Sequence, residues 1–225
     1  MMKLFKGWFG EKKSALKMWV VLDSGTYQKF HDVIIPSRNG TSQIDHIIVS
    51  RFGIFIVETK NLNGWIFGSE KNRKWTQSLF GKKYPFQNPL RQAYRQKKVL
   101  AEFLDIDDSL INIVVVFVGN CEFKTQMPPN VLKSGIGSYI KKFKSTLLLP
   151  EQLNKISESL NRHYANSALT KKDHLKSLRE RHNNSALCSR CGSAMVERKA
   201  RKGANSGSTF LGCSGYPSCR YTKNL

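Results

Sequence analysis

Three side chains suited to holding and using a metal ion come together if residues 43–60, QIDHIIVSRFGIFIVETK, fold as a β-hairpin. Two runs of β-branched and aromatic residues flank the turn SRFG, a pattern typical of paired strands. A two-residue turn places Asp45 opposite Glu58, and Lys60 lies on the same face because side chains alternate along a strand. Opposed carboxylates repel each other. The register therefore predicts a bound divalent cation with oxygen ligands at this end of the hairpin.

Four cysteines near the C-terminus predict a second metal site. Cys188 and Cys191 are separated by two residues, Cys213 and Cys219 by five, and 21 residues lie between the two pairs. Two close cysteine pairs joined by a spacer suit a tetrahedral Zn²⁺ ion with four thiolate ligands. A module of about 40 residues buries too little apolar surface to fold alone, so zinc is expected to supply its folding energy.

Patterning along the chain predicts the elements that position these residues. Apolar side chains at helical spacing predict helices over 7–22 and 150–160, and Asn88-Pro89 predicts the start of a third that runs to about 104. The string INIVVVFV at 111–118 is typical of a strand buried on both faces. Shorter strands are expected at 27–35 and 65–67, with a turn at 36–40. These elements predict an α/β fold, a mixed sheet flanked by helices.

The residues of the hairpin also carry a family resemblance. Asp45 and Glu58-Thr59-Lys60 resemble the D…(D/E)xK core of the restriction-endonuclease-like nucleases. The longer string IDHIIVSRFGIFIVETKNLNGWIFG is similar to the nuclease-related domain, NERD, of that PD-(D/E)xK superfamily, and the similarity extends from about Gly7 to the 140s. The proline that often precedes the aspartate in the superfamily is replaced by Ile44. The resemblance implies a restriction-endonuclease-like sheet.

The resemblance further implies roles for these residues in phosphodiester hydrolysis. Asp45, Glu58 and the main-chain carbonyl of Thr59 would hold Mg²⁺ or Mn²⁺. Lys60 would orient the attacking water or stabilise negative charge as it forms on the phosphate.

Two further residues are candidates through the same resemblance. Glu11 ends a GxxGE string and would be another acidic residue near the metal; the alternative is a solvated glutamate favoured by the dipole of a first helical turn. Gln92, on the helix that begins after Asn88, would support the active site, the alternative being a surface glutamine.

Residues 210–221, FLGCSGYPSCRY, resemble the C-terminal zinc-ribbon repeats of type IA topoisomerases, which bind mostly single-stranded DNA. Aromatic side chains can stack on bases and cations can bind phosphates. The ribbon candidates for these roles are Phe210, Tyr216, Tyr221, Arg201, Lys202 and Arg220. The alternative is that the aromatic residues form the small core of the ribbon. No region resembles the catalytic body of a topoisomerase.

The segment 71–83 has a similar mixture of cations and aromatic residues. Lys74, Trp75, Lys82 and Lys83 are its candidates for nucleic-acid binding. The alternative is a strand edge with solvated lysines and aromatic residues in the core.

Charge supports a polyanionic partner. The chain of 225 residues has a net charge of +21 and a pI of about 10.0. Residues 1–150 carry 23 basic and 11 acidic side chains, 151–185 carry 7 and 4, and 186–225 carry 7 and 1. The excess is spread along the chain, and nucleic acid is the expected partner, with an anionic membrane surface as the alternative.

Taken together, the sequence predicts a nuclease-related domain at 1–150, a helical or polar linker at 151–185 and a zinc ribbon at 186–225. The linker includes His163, His174 and His182, which are expected to be solvated. No apolar run approaches the ~20 residues of a membrane span, so a cytoplasmic protein is expected. The predicted function is a metal-dependent DNA nuclease. The alternative is a DNA-binding or recruitment protein whose nuclease-like core does not cut.

Overall fold

The protein is described by a computed structural model that covers residues 22–184, 186–189, 191–203 and 205–224. The predicted helix at 7–22, apart from its last residue, lies outside these ranges, and Glu11 lies outside them with it. Among the described residues, no helix combines the length and the hydropathy that crossing a membrane requires.

Five strands form the main sheet, in spatial order β1 (Gln28–Ser37), β2 (Gly40–Ser50), β3 (Gly53–Lys60), β7 (Ile111–Phe117) and β9 (Val131–Leu132). β2 and β3 are the predicted hairpin, and Val49 pairs with Ile54 and Ile47 with Ile56, which confirms the predicted register. β3 runs parallel to β7, and β7 runs parallel to β9. β1 continues through Pro36, where a turn was expected, because an edge strand tolerates a residue without an N–H.

Both faces of the main sheet are covered by helices. One face packs against α1 (Pro89–Leu104) and α3 (Pro150–Asn166), with Leu100, Ile156 and Leu160 in the shared core. The other face packs against α2 (Ile136–Ile140). Asn88 caps α1 as predicted, because its side chain accepts a hydrogen bond from the N–H of Leu90 at 3.0 Å. The predicted mixed sheet flanked by helices is therefore confirmed.

A second, smaller sheet lies beside the first. In spatial order it contains β6 (Lys82–Gln87), β5 (Lys74–Leu79), β4 (Gly64–Phe67) and β8 (Cys121–Phe123). Trp75 joins the two sheets, since its ring stacks on Phe117 of β7 at a centroid distance of 6.1 Å.

Residues 150–183 form two helices that are mostly exposed, as expected of a polar linker, but that also pack on the main sheet. α3 extends beyond the predicted end at 160, and α4 (Lys171–Asn183) packs on β2. His174 and Ser177 are buried, and the backbone N–H of Thr41 donates to Ser177 Oγ at 2.8 Å. His163 is not solvated either, because its Nε2 lies 2.7 Å from the carbonyl oxygen of Ile34. The domain boundaries at 150 and 185 stay predictions.

The C-terminal module is a three-stranded antiparallel sheet of β10 (Met195–Lys199), β11 (Thr209–Cys213) and β12 (Thr222–Asn224). It lies against the β1–β2 turn and α1, and Asn39 Nδ2 donates to the carbonyl oxygen of Cys188 at 3.1 Å. Gly192 approaches the same turn so closely that an added Cβ would lie 3.2 Å from the Cβ of Arg38.

Candidate functional site

The carboxylate cluster lies where the β2–β3 ladder ends. The last strand pair is His46 with Val57, and Asp45 follows immediately beyond it. Asp45 Oδ2 accepts a hydrogen bond from the backbone N–H of Thr59 at 2.8 Å. A side chain thus takes the position of a strand partner, which fixes the Asp45 carboxylate beside the residue that follows Glu58.

Glu58 is the most buried member of the cluster, with 2% of its surface exposed. Lys60 Nζ donates to Glu58 Oε1 at 2.5 Å, and Gln96 Nε2 donates to Glu58 Oε2 at 2.8 Å. Both carboxylate oxygens are therefore oriented by donors, as a buried charge requires.

Two glutamines of α1 hold the cluster from above the sheet. Gln92 Oε1 accepts from Lys60 Nζ at 3.0 Å, so the predicted candidate does contact the lysine. Gln96 was missed by the sequence analysis, although it lies four residues further along and hence on the same face of the helix. Gln96 also donates to the carbonyl oxygen of Gln43 at 3.0 Å, which ties α1 to β2.

The electrostatics of the cluster centre on Asp45. Burial, and after it the negative charge of Glu58, raise the pKa of Asp45 to about 7. The N–H of Thr59 and the charge of Lys60 act in the opposite direction, and Asp32 on the neighbouring strand adds a smaller increase. Near neutral pH the Asp45 carboxyl is thus partly protonated, which is the cost of placing two carboxylates together away from water.

The donor set of this cluster fits a hard divalent cation. Asp45 and Glu58 supply carboxylate oxygens, the ligands that Mg²⁺ and Mn²⁺ prefer. The hydroxyl of Thr59 is buried and has no hydrogen-bond partner in the described part of the chain, so polar binding capacity remains at this position. A bound cation would also relieve the repulsion that raises the pKa of Asp45.

The four ribbon cysteines come together as predicted. One Sγ atom from each of Cys188, Cys191, Cys213 and Cys219 lies within 4.8 Å of the others. Burial raises the pKa of Cys213 to about 11 and also raises that of Cys219, so zinc must displace protons as it binds. The spacing and the geometry together support Zn²⁺ binding by this cluster.

Trp75 is the predicted nucleic-acid contact that the fold contradicts. It is 1% exposed, stacks on Phe117, and donates from Nε1 to the carbonyl oxygen of Ser69 at 2.9 Å. Its ring is needed in the core between the two sheets and cannot stack on a base. Lys74, Lys82 and Lys83 of the same segment are exposed.

The β5–β6 turn carries an exposed aromatic residue of the cationic and aromatic segment 71–83. Phe80 is 94% exposed and has a φ of 50°, a conformation that is strained for a residue other than glycine. The signal in the sequence was Phe80-Gly81 between two strand-like runs, which is compatible with a two-residue hairpin turn. We refer to Phe80 together with Lys82, Lys83 and Tyr84 as the hairpin tip.

Candidates on the ribbon divide between surface and core. Arg201, Lys202 and Arg220 are exposed, and Tyr216 is 60% exposed with the guanidinium of Arg198 over its ring at 5.8 Å. Phe210 is partly buried, and Tyr221 packs against the cysteine cluster.

A groove of about 990 Å³ runs between the ribbon and the second sheet. Arg220 and Tyr221 line its ribbon side, and Arg73, Lys74 and Phe86 line the opposite side. Among the described residues, the groove is lined by five cationic side chains, Arg73, Lys74, Arg91, Arg95 and Arg220, and by no acidic one.

Comparisons with known proteins agree with this architecture. The family model of the nuclease-related domain, NERD, matches residues 6–118, and that of the topoisomerase DNA binding C4 zinc finger matches residues 185–225. An uncharacterized protein of Bacillus anthracis is 46% identical over 97 residues, which are 43% of this chain and 45% of that protein. The chain therefore spans less than half the length of that relative. No solved structure matches the chain. Since the first family model covers half of the sequence, the chain belongs to the nuclease-related domain (NERD) family and carries a topoisomerase-type C4 zinc ribbon at its C-terminal end.

Proposed function

We propose that this protein is a divalent-metal-dependent deoxyribonuclease that binds DNA through its zinc ribbon and the basic groove beside it. The observation that carries the proposal is the cluster of Asp45, Glu58 and Lys60 at the end of the β2–β3 ladder. Two carboxylates that repel each other beside a lysine have no evident structural use, because an apolar ladder end would be more stable.

Each residue of the cluster has a distinct role in this proposal. Asp45, Glu58 and the main-chain carbonyl of Thr59 would hold Mg²⁺ or Mn²⁺. When bound, such a cation polarises the scissile phosphate and lowers the pKa of a bound water. Lys60 Nζ lies 2.5 Å from Glu58 Oε1, and its ammonium group would stabilise the negative charge that develops on the phosphate oxygens.

The two glutamines of α1 are positioning residues. Gln92 fixes the Lys60 ammonium through a 3.0 Å hydrogen bond, and Gln96 fixes the second carboxylate oxygen of Glu58. Glu11 remains a candidate further ligand on the strength of the family resemblance, although it lies outside the described residues.

The choice of DNA as substrate rests on charge and on the ribbon. The chain has a net charge of +21, and the groove between the ribbon and the second sheet is lined by cationic side chains with aromatic rings among them. Cations bind the phosphate backbone and aromatic rings stack on bases, which suits single-stranded DNA at the ribbon.

A cleavage assay tests the proposal. Purified protein would be incubated with single-stranded, linear and supercoiled DNA in Mg²⁺, Mn²⁺ or EDTA, beside Glu58→Gln and Lys60→Ala. We expect cutting that requires a divalent cation and falls at least 100-fold in both variants, since each removes a group that acts on the reacting phosphate.

The chain offers a matched control in the surface pair Glu122 and Lys124, which has the same ExK spacing and a 2.7 Å ion pair. Glu122→Gln should cut like the wild type. Binding without cutting in every metal would favour the alternative of a DNA-binding protein with a silent core, and cutting that survives Glu58→Gln would place the active site elsewhere.

A further inference from the structure

A cavity of about 380 Å³ lies beside the carboxylate cluster, between α1, α4 and the ribbon. Gln92 and Gln96 line it, and the same two side chains hold Lys60 and Glu58. The cavity therefore shares a wall with the candidate active site. Its remaining polar lining includes Arg95 from α1, His174 and Arg181 from α4, and Ser189 from the ribbon.

The lining of the cavity is positively charged and, among the described residues, includes no acidic side chain. In the part of the chain that the structure describes, Arg95 donates to Asn39 Oδ1 at 3.1 Å, and its Nε is buried without a hydrogen-bond partner. Arg181 is 9% exposed and donates to the carbonyl oxygens of Asn39 and Thr41. Across the described ranges neither arginine forms an ion pair, although buried charges are normally paired.

Neighbouring groups report the same excess of positive charge. Burial, and after it the nearby charge of Arg181, lower the pKa of Arg95 to about 10, while Cys188 and Cys191 act in the opposite direction. Burial lowers the pKa of His174, and the positive charges of Arg181 and Arg95 lower it as well. The neutral imidazole is therefore favoured beside these two arginines.

The cavity continues into the large basic groove. Gln87, Arg95 and Ser189 line both spaces, so a DNA strand lying along the groove would reach the cavity at Arg95. Arginine is suited to a phosphate at such a point, because its planar guanidinium donates several hydrogen bonds at once.

We propose that this cavity binds a phosphate group of the DNA strand, with Arg95 as the principal donor, and thereby fixes the strand relative to the carboxylate cluster. The proposal rests on the proposed function in so far as it assigns the phosphate to a nuclease substrate. The phosphate is either one at the end of a strand or one within it, and these two sources are separable by experiment.

The test measures binding without cleavage. Full-length, zinc-loaded protein would be titrated in Ca²⁺-free, Mg²⁺-free buffer with a fluorescent single-stranded oligonucleotide at several salt concentrations. We expect Arg95→Gln to weaken binding about tenfold or more, since a charge-assisted contact is lost, and to reduce the slope of log K against log salt by about one. Arg95→Lys should recover much of that slope, because it keeps a cation at the site.

Lys97→Gln is the matched control. It removes one positive charge from the same helix but lines a different surface, beside Ile111 and Pro129. It should change affinity by no more than about twofold. Thermal unfolding and zinc content of each variant would establish that the fold is retained.

Four oligonucleotides distinguish the two sources of phosphate: a 5′-phosphorylated, a 3′-phosphorylated, a hydroxyl-ended and a circular strand. Tighter binding of a 5′-phosphorylated or 3′-phosphorylated strand than of a hydroxyl-ended one, lost in Arg95→Gln, would assign a terminal phosphate. Equal weakening of linear and circular strands would assign an internal phosphate. Unchanged binding in Arg95→Gln, or an equal loss in Lys97→Gln, would overturn the proposal.

The outcome is separable from that of the cleavage assay. A protein that cuts DNA but binds it equally well after Arg95→Gln would retain the nuclease proposal and lose the phosphate cavity. A protein that depends on Arg95 for binding but never cuts DNA would retain the phosphate cavity and lose the nuclease proposal.

Discussion

At the scale of single residues, the contacts of Glu58, and not the spacing of the ExK motif, distinguish the candidate site from a surface ion pair. Glu58-Thr59-Lys60 and Glu122-Phe123-Lys124 have the same ExK spacing, and both pairs form ion pairs. Of the two glutamates, only Glu58 is buried, lies near Asp45 just beyond the last pair of the β2–β3 ladder, and accepts from a glutamine of α1. The letters of the motif alone do not distinguish these two environments.

The repulsion between Asp45 and Glu58 predicts that the metal-free protein gains stability when Asp45 loses its charge. The pKa of Asp45 is raised from 3.8 to about 7 in the folded state, so above pH 7 the folded protein carries a carboxylate that the fold disfavours. As pH falls from 7 towards 4 the folded state takes up a proton before the unfolded state does, and this cost disappears.

Asp45→Asn should therefore raise the free energy of unfolding in EDTA at pH 8 by on the order of 2 kcal/mol, with a smaller gain at pH 5. The amide oxygen can still accept from the N–H of Thr59. Urea unfolding at both pH values measures the effect, and Glu158→Gln, at an exposed position of α3, serves as a control for loss of a carboxylate. A loss of stability at pH 8 would contradict the assignment of repulsion.

At the scale of elements, the sequence predicted the strands and helices that have a regular apolar pattern. It did not predict the docking of α4, which is held by polar contacts. The register of the β2–β3 hairpin followed from alternation and a two-residue turn, and β7 followed from its wholly apolar string. α4 has few apolar residues, and it docks on β2 through His174, Ser177 and Arg181. Side chains that bond to the backbone of a distant strand leave no period in the sequence.

Docking of α4 predicts that Gly40 cannot be replaced. A Cβ at Gly40 would lie 2.0 Å from Ser177 Oγ, and the φ of +111° is itself unfavourable for other residues. Gly40→Ala should reduce the free energy of unfolding by on the order of 2–3 kcal/mol.

Gly81→Ala is the matched control for Gly40→Ala. Gly81 also has a positive φ, of +73°, but nothing lies within 4 Å of an added Cβ. Its substitution should cost only about 1 kcal/mol, from backbone strain alone. Urea denaturation of both variants measures the difference, and equal costs would indicate that α4 does not pack against Gly40.

The hairpin tip predicts a role for an aromatic ring that the fold does not use. Phe80 packs against little and occupies a strained backbone position, so its removal should leave stability unchanged. If its ring stacks on a base, Phe80→Ala should weaken binding of single-stranded DNA about tenfold, as stacking is worth about 1–3 kcal/mol per base.

Phe80→Leu tests the ring specifically, because leucine keeps apolar bulk without a flat surface. It should bind as weakly as Phe80→Ala in a fluorescence anisotropy titration. Leu149→Ala, which removes another exposed apolar side chain, should bind normally. A Phe80→Leu variant with wild-type affinity would exclude stacking at the tip.

At the scale of the whole molecule, the ribbon forms one wall of the basic groove and is not only a module on a tether. The sequence predicted the ribbon from its cysteines but expected a linker between it and the nuclease-related domain. Asn39, in the β1–β2 turn, connects the ribbon to two helices, since it contacts Cys188 of the ribbon, Arg95 of α1 and Arg181 of α4. A contact of this kind, between one turn and three distant segments, has no local signature in the sequence.

Asn39→Ala should loosen the ribbon without unfolding it. The variant loses the hydrogen bond to the Cys188 carbonyl, while the four cysteines remain free to hold zinc. We expect about one zinc per chain, as in the wild type, together with at least about threefold faster hydrogen exchange in the ribbon. Asn130→Ala removes a comparable 3.1 Å bond to Ile113 in the main sheet and should leave exchange in the ribbon unchanged.

Deleting residues 186–225 distinguishes a wall from a tether. A tether raises only the local concentration of DNA, so saturating substrate would restore the full cleavage rate of a truncated protein. A wall also orients the strand, and the truncated protein loses Arg220, Tyr221 and Ser189 from the groove and the cavity. We therefore expect weaker binding with a smaller salt slope, and residual cleavage that stays at least about fivefold below wild type at saturating DNA. Full recovery at saturation would favour the tether, and complete loss of cleavage in a folded truncated protein would mean that the ribbon supplies part of the active site itself.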